Sequence, residues 1–213
     1  ISGGMKSSKI EGYKFDVKNK FYNMEHDDFV KLKESIEELV EQTGYDDKTS
    51  TFAKTGIKNK KIGAKSIRKK CNEYKIPILL RECRRVFNKY PKEKIIIATE
   101  YVTDITNVLK RELSEYGSEV VEGSVPLPER ERIVDLFNEN NDKCRILIIS
   151  RSGYHGISIH DKHGGYRHRM YILPDFSMEN QFQASYRGYR EGVKSDFKVR
   201  NVFVKGLDIE LRV

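Results

Sequence analysis

Short apolar runs alternate with helical patterns along the second half of the chain, from residue 95 onward. Runs of branched apolar residues between turn residues predict buried strands, and apolar residues spaced three or four apart predict helices with one buried face. The predicted strands cover residues 95–98, 118–121, 145–150, 169–173 and 199–204, and the predicted helices cover 103–116, 128–138 and 178–188. Strands that alternate with helices of crossover length form parallel sheets with right-handed connections. The pattern therefore predicts a doubly wound α/β domain with helices on both faces of a parallel sheet.

The first ninety residues differ from the rest, because they contain many lysines and few long apolar runs. An amphipathic pattern predicts a helix over about 26–42, with acidic residues at its start and Gly44 after its end. A second helix is predicted from residue 75 or 78 to residue 88, and the basic stretch 54–70 is predicted as a loop, a short helix or both. We predict an expression remnant or disordered start over 1–9, a helical and lysine-rich lead-in or linker over 10–90, and the α/β domain over 91–213.

The composition excludes several classes of protein. The chain has 213 residues but only 15 Gly and 3 Cys, and it contains no apolar run of about 18 residues, so it is not collagen-like, disulfide-dense or membrane-spanning. Its start lacks the apolar core of a secretory signal. Three cysteines without a CxxC motif predict reduced thiols and hence an intracellular, reducing compartment. The net charge of +8 favours an anionic partner, although total charge alone is weak support for nucleic acid.

A phosphate-binding loop is missing from this sequence. Residues 63–66 resemble the end of such a loop, but their glycine and lysine are not adjacent and no strand precedes them. The sequence also lacks an Asp-Glu pair after an apolar strand that would hold Mg²⁺. We therefore expect that the chain by itself does not hydrolyse a nucleotide.

Two arginines near the C-terminus form the strongest candidate site. Arg187 and Arg190 lie three residues apart at the end of the helix predicted over 178–188, so their guanidinium groups are expected on one side of it. Planar cations in this arrangement suit bidentate contacts to phosphate oxygens and neutralise charge on a transferring phosphoryl group. Gln183 lies one turn earlier on the same helix. Two solvated arginines at a helix end are the alternative interpretation of this spacing.

The order of motifs around these arginines resembles the C-terminal RecA-like domain of superfamily 2 helicases. The Gln-x-x-x-Arg-x-x-Arg pattern that begins at Gln183 resembles helicase motif VI, while residues 95–101 resemble motif IV and residues 148–158 resemble motif V. Residues 122–124, with the Glu-Arg-Glu-Arg helix that follows, resemble the Gly-Ser segment of the same domain. The resemblance covers about residues 94–205 and is greatest to helicases of large DNA viruses.

This resemblance implies a RecA-like three-layer fold and an ATP-dependent helicase or translocase that acts on DNA or RNA. An N-terminal RecA-like domain of the same chain would hold most of the ATP and Mg²⁺, and the location would be the host cytoplasm or the virion. The implied catalytic residues are Arg187 and Arg190 as arginine fingers, with Gln183 near the γ-phosphate or the attacking water. The implied nucleotide-binding residues are Gly156, Ser158, Arg187 and Arg190. The implied nucleic-acid contacts are Thr99, Tyr101, Gly123, Ser124, Ser152 and Gly153.

Two positions depart from the motifs of this family. Tyr186 stands where the family usually has Gly before its first arginine, so we expect different packing at this helix end. Ser158 replaces an Asp that is common in motif V, a change that the variant in large viruses also tolerates.

Two other functions stay open from the sequence alone. One is a stand-alone module that binds phosphate or nucleic acid without ATPase activity. The other is a metal-dependent nucleic-acid processing domain with a Zn²⁺ site built from His155, His160, His163 and His168. No HExxH motif or paired cysteine accompanies these histidines, so we predict that the chain has no metal site. The lysine-rich stretch 54–70 is predicted as a solvated face, with contact to phosphate as the alternative.

Overall fold

The computed structural model describes residues 12–43, 45–46, 51–52, 57–100, 104–151, 156–174 and 178–207. Within these residues the strands are β1 Phe15–Tyr22, β2 Tyr45–Asp46, β3 Thr51–Phe52, β4 Glu93–Thr99, β5 Ser118–Val121, β6 Ile146–Ser150, β7 Arg167–Ile172 and β8 Phe197–Val204. The helices are α1 His26–Thr43, α2 Ile57–Tyr74, α3 Ile76–Lys89, α4 Asp104–Glu112, α5 Leu127–Asn138 and α6 Met178–Arg187, and a short 3₁₀ helix covers Ser114–Tyr116. In the described part of the chain no helix combines the length and the apolar character that a membrane span needs.

Six of the described strands form one parallel sheet in the order β1-β8-β7-β4-β6-β5. The two remaining strands, β2 and β3, make a small antiparallel pair. Strands β4 and β6 lie inside the sheet and are buried along their whole length. Full burial on both faces explains why these two strands are continuous apolar runs. The parallel sheet predicted from the alternating pattern is confirmed.

Successive residues of the central strands face opposite sides of the sheet, and helices cover both sides. Ile95 and Ile97 of β4 belong to one core cluster, whereas Ile96 and Ala98 belong to the other. The first cluster includes residues of α1, α2, α3 and α4, and the second includes residues of α5 and α6. The molecule therefore has the three-layer, RecA-like α/β architecture that the sequence analysis predicted.

Strand β1 lies in the segment predicted as helical and lysine-rich, and the sequence analysis missed it. All eight residues of β1 pair in parallel register with β8, at the edge of the sheet. Its apolar residues alternate with polar ones, and several of its side chains are exposed, so its apolar signal is weak. Helix α2 covers much of the basic stretch that we expected as a loop, a short helix or both. The division of the chain into domains at residue 90 stays a prediction.

Two buried basic residues stabilise the junctions between these elements. Lys94 on β4 donates to the carbonyls of Phe137 and Glu139, both at 2.6 Å, and so satisfies carbonyls at the C-terminal end of α5. Burial lowers the pKa of Lys94 to about 8. Arg169 on β7 makes a bidentate ion pair with Glu93 on β4, at 2.8 and 3.0 Å. Both sets of contacts fix neighbouring elements near the amino ends of the strands.

Candidate functional site

The predicted nucleic-acid contacts follow the carboxyl ends of neighbouring parallel strands. Thr99 ends β4 and Ser150 ends β6, where the two residues pair in register and are both buried. Parallel strands present these ends at one edge of the sheet, which is where ligands bind in open α/β folds. Thr99 thus lies at the edge of the sheet where ligands bind in such folds. The predicted contacts Tyr101, Ser152 and Gly153 fall outside the described residues.

Gly123 and Ser124 lie in an exposed turn between β5 and α5. The Ser124 hydroxyl donates to Glu122 Oε1 at 2.7 Å. Arg130 of α5 donates to the carbonyls of Gly123 and Val125, at 2.7 and 2.6 Å. The guanidinium of Arg130 therefore fixes the turn against the first turns of α5, with Gly123 and Ser124 facing solvent.

The segment 156–161 makes hydrogen bonds both to helix α5 and to the residues around the C-terminal arginines. Gly156 is exposed and has a φ of +79°, a left-handed conformation that favours glycine. The Ser158 carbonyl accepts a hydrogen bond from Asn138 Nδ2 at 2.8 Å, and its hydroxyl shares a hydrogen bond with His160 Nδ1 at 2.9 Å. Burial, and then the charges of Lys162 and Arg190, lower the pKa of His160.

Two backbone hydrogen bonds tie this segment to the residues around the arginines. The Ile159 amide donates to the Arg187 carbonyl at 3.0 Å, and the Lys194 amide donates to the Asp161 carbonyl at 2.8 Å. The structure thus brings together Ser158 and Arg187, which the sequence analysis assigned to two separate motifs.

The arginines themselves lie close together with no described carboxylate to balance them. Arg187 is the last residue of α6, and Arg190 follows in the turn after it. Neither guanidinium is within ion-pair distance of a carboxylate in the described part of the chain. Arg187 Nε is buried and has no hydrogen-bond partner among the described residues. Burial, and then the charge of Arg190, lower the pKa of Arg187. Two uncompensated guanidinium groups and a buried donor without a partner are suited to binding an anion.

Gln183 lies on α6 one turn before Arg187, as the spacing predicts. Its amide donates to Glu179 Oε1 on the preceding turn, at 3.3 Å. Its proposed position near a γ-phosphate or a water stays a prediction.

Aromatic packing explains the tyrosine that departs from the helicase motif. The ring of Tyr186 packs against Phe15 of β1 with centroids 5.2 Å apart. Tyr189 stacks on the same Phe15 ring at 4.8 Å. The glycine that does permit a close approach is Gly188, where a Cβ would come within 2.1 Å of the Phe197 ring. The altered packing expected from Tyr186 is therefore contact with β1.

The described histidines of the C-terminal cluster differ in burial and in hydrogen-bond partner. The buried Nδ1 of His168 is 2.9 Å from the Ile159 carbonyl, so this nitrogen carries the proton and donates. Burial lowers the pKa of His168 to about 4. His163 is exposed, and His155 falls outside the described residues. Among the residues that are described, no three metal-ligating side chains form a group that could hold an ion.

Comparison with known proteins identifies the family. Residues 74–192, more than half of the chain, match the family described as the helicase conserved C-terminal domain. The chain belongs to this family. The matched range of this helicase C-terminal domain includes both arginines and the segment 156–161.

One curated relative of this helicase C-terminal domain is a candidate ATP-dependent RNA helicase of Acanthamoeba polyphaga mimivirus. The two are 29% identical over 188 residues, which cover 88% of this chain and 33% of the relative. The chain therefore spans about a third of the length of the curated relative that it matches.

Two solved structures share its fold. The C-terminal part of the Fun30 ATPase domain has 15% identity and a TM-score of 0.64, over 94% of this chain and 88% of that one. The Sulfolobus solfataricus SWI2/SNF2 ATPase core in complex with dsDNA has 17% identity and a TM-score of 0.66, over 90% of this chain and 41% of that one. Both likenesses show that this helicase C-terminal domain has the RecA-like fold.

Several residues that shape the site were missed by the sequence analysis. Arg130 and Asn138 hold the turn after β5 and the Ser158 carbonyl, but on the sequence they are only polar positions of a helix. Phe15 was missed because strand β1 was not predicted. Tyr189 was visible between the two arginines, and a large aromatic residue within a charged turn was the signal that it packs against another element.

Proposed function

We propose that this chain is the C-terminal motor domain of an ATP-dependent superfamily 2 helicase or translocase. In this function Arg187 and Arg190 act as arginine fingers on ATP bound between this domain and an N-terminal RecA-like domain. The observation that carries the proposal is the arginine pair, which lies at the end of α6 and in the turn after it without a described carboxylate partner. A polyphosphate placed beside both guanidinium groups would remove their repulsion and satisfy Arg187 Nε.

The residues present fit the phosphate part of ATP better than they fit its metal. Arg187 and Arg190 would contact phosphate oxygens, with Gln183 one turn away on α6. No described group of three acidic or histidine side chains is suited to Mg²⁺, so the metal would be held by the proposed partner domain. Bound ATP and Mg²⁺ would supply the phosphoryl group and balance its negative charge. The arginines of this chain would stabilise the charge that develops as that group is transferred.

The proposed nucleic-acid track runs along the carboxyl edge of the sheet. Gly123 and Ser124 form an exposed turn after β5, and Thr99 ends β4 two strands away, while Tyr101, Ser152 and Gly153 are predicted to continue the track. Arg130 and Lys162 line a cleft of about 300 Å³ between α5 and the segment 156–162. Hydroxyls, backbone amides and basic side chains in such an arrangement bind phosphodiester groups without reading sequence. The relatives support a nucleic-acid partner, because one is named as an RNA helicase and one is described with bound dsDNA.

Nucleic-acid-stimulated ATP hydrolysis by the natural full-length protein tests this proposal. We expect Arg187→Lys and Arg190→Lys each to lower kcat by about 10³-fold while changing the KM for ATP far less, because an arginine finger acts mainly on the transition state. Arg132→Lys is a matched control, since Arg132 is exposed on α5 and paired with Glu129. Turnover that is unchanged in both arginine variants would rule out the finger role. Phosphate binding without any ATP hydrolysis would favour a stand-alone binding module.

A further inference from the structure

Both arginines directly follow a tyrosine whose ring packs on the same phenylalanine of β1. Tyr186 precedes Arg187 and lies 5.2 Å from the Phe15 ring centroid, and Tyr189 precedes Arg190 and stacks on Phe15 at 4.8 Å with an interplanar angle of 11°. Phe197 on the neighbouring strand β8 also stacks on Phe15, with ring centroids 6.2 Å apart. We call this group of residues the aromatic clasp, and with the backbone of Tyr13 it comprises Tyr13, Phe15, Tyr186, Tyr189 and Phe197.

Hydrogen bonds hold the same residues in place. The Tyr189 hydroxyl donates to the Tyr13 carbonyl at 2.8 Å, and the Tyr189 side chain is buried. The Lys14 amide donates to Asp196 Oδ1, and the Phe197 amide donates to the Lys14 carbonyl, both at 2.9 Å. Residues 13–15 are therefore fixed to β8 on one side and to the arginine turn on the other.

In the described part of the chain, few other contacts hold the turn that carries the arginines. On the side opposite β1, the Arg187 carbonyl accepts from the Ile159 amide. Gly188 lies directly against the Phe197 ring, so the backbone between the two arginines also rests on the clasp. A guanidinium misplaced by about 1 Å loses much of its effect on a transition state, so the packing of this turn bears directly on catalysis.

We propose that the aromatic clasp positions the arginine pair, with Phe15 and Tyr189 as positioning residues that never touch the nucleotide. This inference rests on the proposed function of the arginines. It assigns strand β1 a role in catalysis that its place at the edge of the sheet does not suggest. Loosening the clasp leaves ATP binding intact and lowers the rate of the chemical step.

Phe15→Leu and Phe21→Leu form a matched pair of variants. Both residues lie on β1, but Phe21 stacks on Phe203, at 5.4 Å, with no other ring contact among the described residues, and is far along the strand from the arginines. In the 213-residue chain, we expect Phe15→Leu to speed amide exchange at Ile159 and Gly188 by about 10-fold, with no change in Phe21→Leu. In the natural full-length protein, we expect Phe15→Leu to lower kcat by about 10-fold with the KM for ATP within about 2-fold, and Phe21→Leu to match the wild type.

Substitutions of Tyr189 give a graded test of the aromatic clasp. They also decide whether the clasp positions the arginines if the Phe15→Leu variant does not fold. Tyr189→Phe keeps the ring stack and loses only the hydrogen bond to Tyr13, so it should lose less kcat than Tyr189→Leu. Exchange at Ile159 and Gly188 that matches the wild type in these variants overturns the clasp. Faster exchange with an unchanged kcat overturns its positioning role. Failure of the arginine fingers is a separate result, seen as unchanged turnover in Arg187→Lys, and it leaves the exchange measurement valid.

Discussion

Substituting alanine for Gly188 tests the close packing beneath the arginine turn. Gly188 is buried, and its φ lies outside the left-handed region, so alanine brings no backbone strain there. A Cβ at this position would lie 2.1, 2.4 and 2.7 Å from three atoms of the Phe197 ring. Because ordinary contact begins near 3.4 Å, the ring or the turn must move by about 1.3 Å. Phe197 is itself buried and stacked on Phe15, which leaves the ring little room.

Two opposing effects set the change in the free energy of unfolding of Gly188→Ala. Overpacking of a buried site costs about 1–3 kcal/mol, whereas replacing Gly by Ala reduces the entropy of the unfolded chain and returns about 0.4–1 kcal/mol. We therefore expect Gly188→Ala to lower the free energy of unfolding by roughly 1–2 kcal/mol. Urea denaturation of the 213-residue chain, with an unchanged m-value, measures this loss.

A double-mutant cycle with Phe197→Leu identifies the cause of that loss. The smaller side chain makes room for the new methyl group, so the two substitutions should together cost at least about 1 kcal/mol less than the sum of their separate effects. Additive effects, or a Gly188→Ala variant as stable as the wild type, would refute the steric argument.

Two further predictions concern the pH dependence of stability, through Glu82 on α3 and His168 on β7. Glu82 accepts hydrogen bonds from Tyr22 and Arg85, and these partners together with Lys20 outweigh its burial and lower its pKa to about 2. The stability that ionised Glu82 contributes is fully present above pH 4.5 and is lost as the pH falls through 2. Urea denaturation should therefore show Glu82→Gln less stable by about 1–3 kcal/mol at pH 7 and by about a quarter of that at pH 2.5. His168 has a pKa lowered to about 4, so the unfolded chain binds more protons below pH 6.5 and the native state loses stability as the pH falls from 6.5 toward 4. Measured against His168→Asn, the wild type should lose roughly 1–2 kcal/mol between pH 7 and pH 5, and parallel pH profiles would contradict this.

The parts of the fold that could be predicted are those with strong local signals. Strands β4 and β6 each contain an unbroken run of four apolar residues because both faces are buried, and the sequence alone identifies them. The helices between them, α4 and α5, begin within one residue of the predicted positions, since their apolar faces pack on the sheet. The spacing of Arg187 and Arg190 likewise identified the candidate site before its geometry was known.

The parts that were missed depend on contacts between distant residues. Strand β1 has a weak alternating pattern, and its position next to β8 is fixed by pairing across some 180 residues of chain. Tyr186 looked like a defect of the helicase motif, although its ring packs on Phe15 of that missed strand. Lys94 looked like a polar boundary of β4, but its ammonium group is buried against the end of α5. A single sequence does not reveal which partner such residues find.

ATP turnover in a mixture of the 213-residue chain with a separately produced N-terminal RecA-like domain, the partner that we propose, tests the central claim most directly. We expect neither part alone to hydrolyse ATP, and the mixture to hydrolyse it faster when nucleic acid is added. Arg187→Ala in this chain should lower that turnover by about 10³-fold. Hydrolysis by the 213-residue chain alone, or turnover of the mixture that Arg187→Ala leaves unchanged, would contradict the claim that this domain contributes arginine fingers to a shared ATP site.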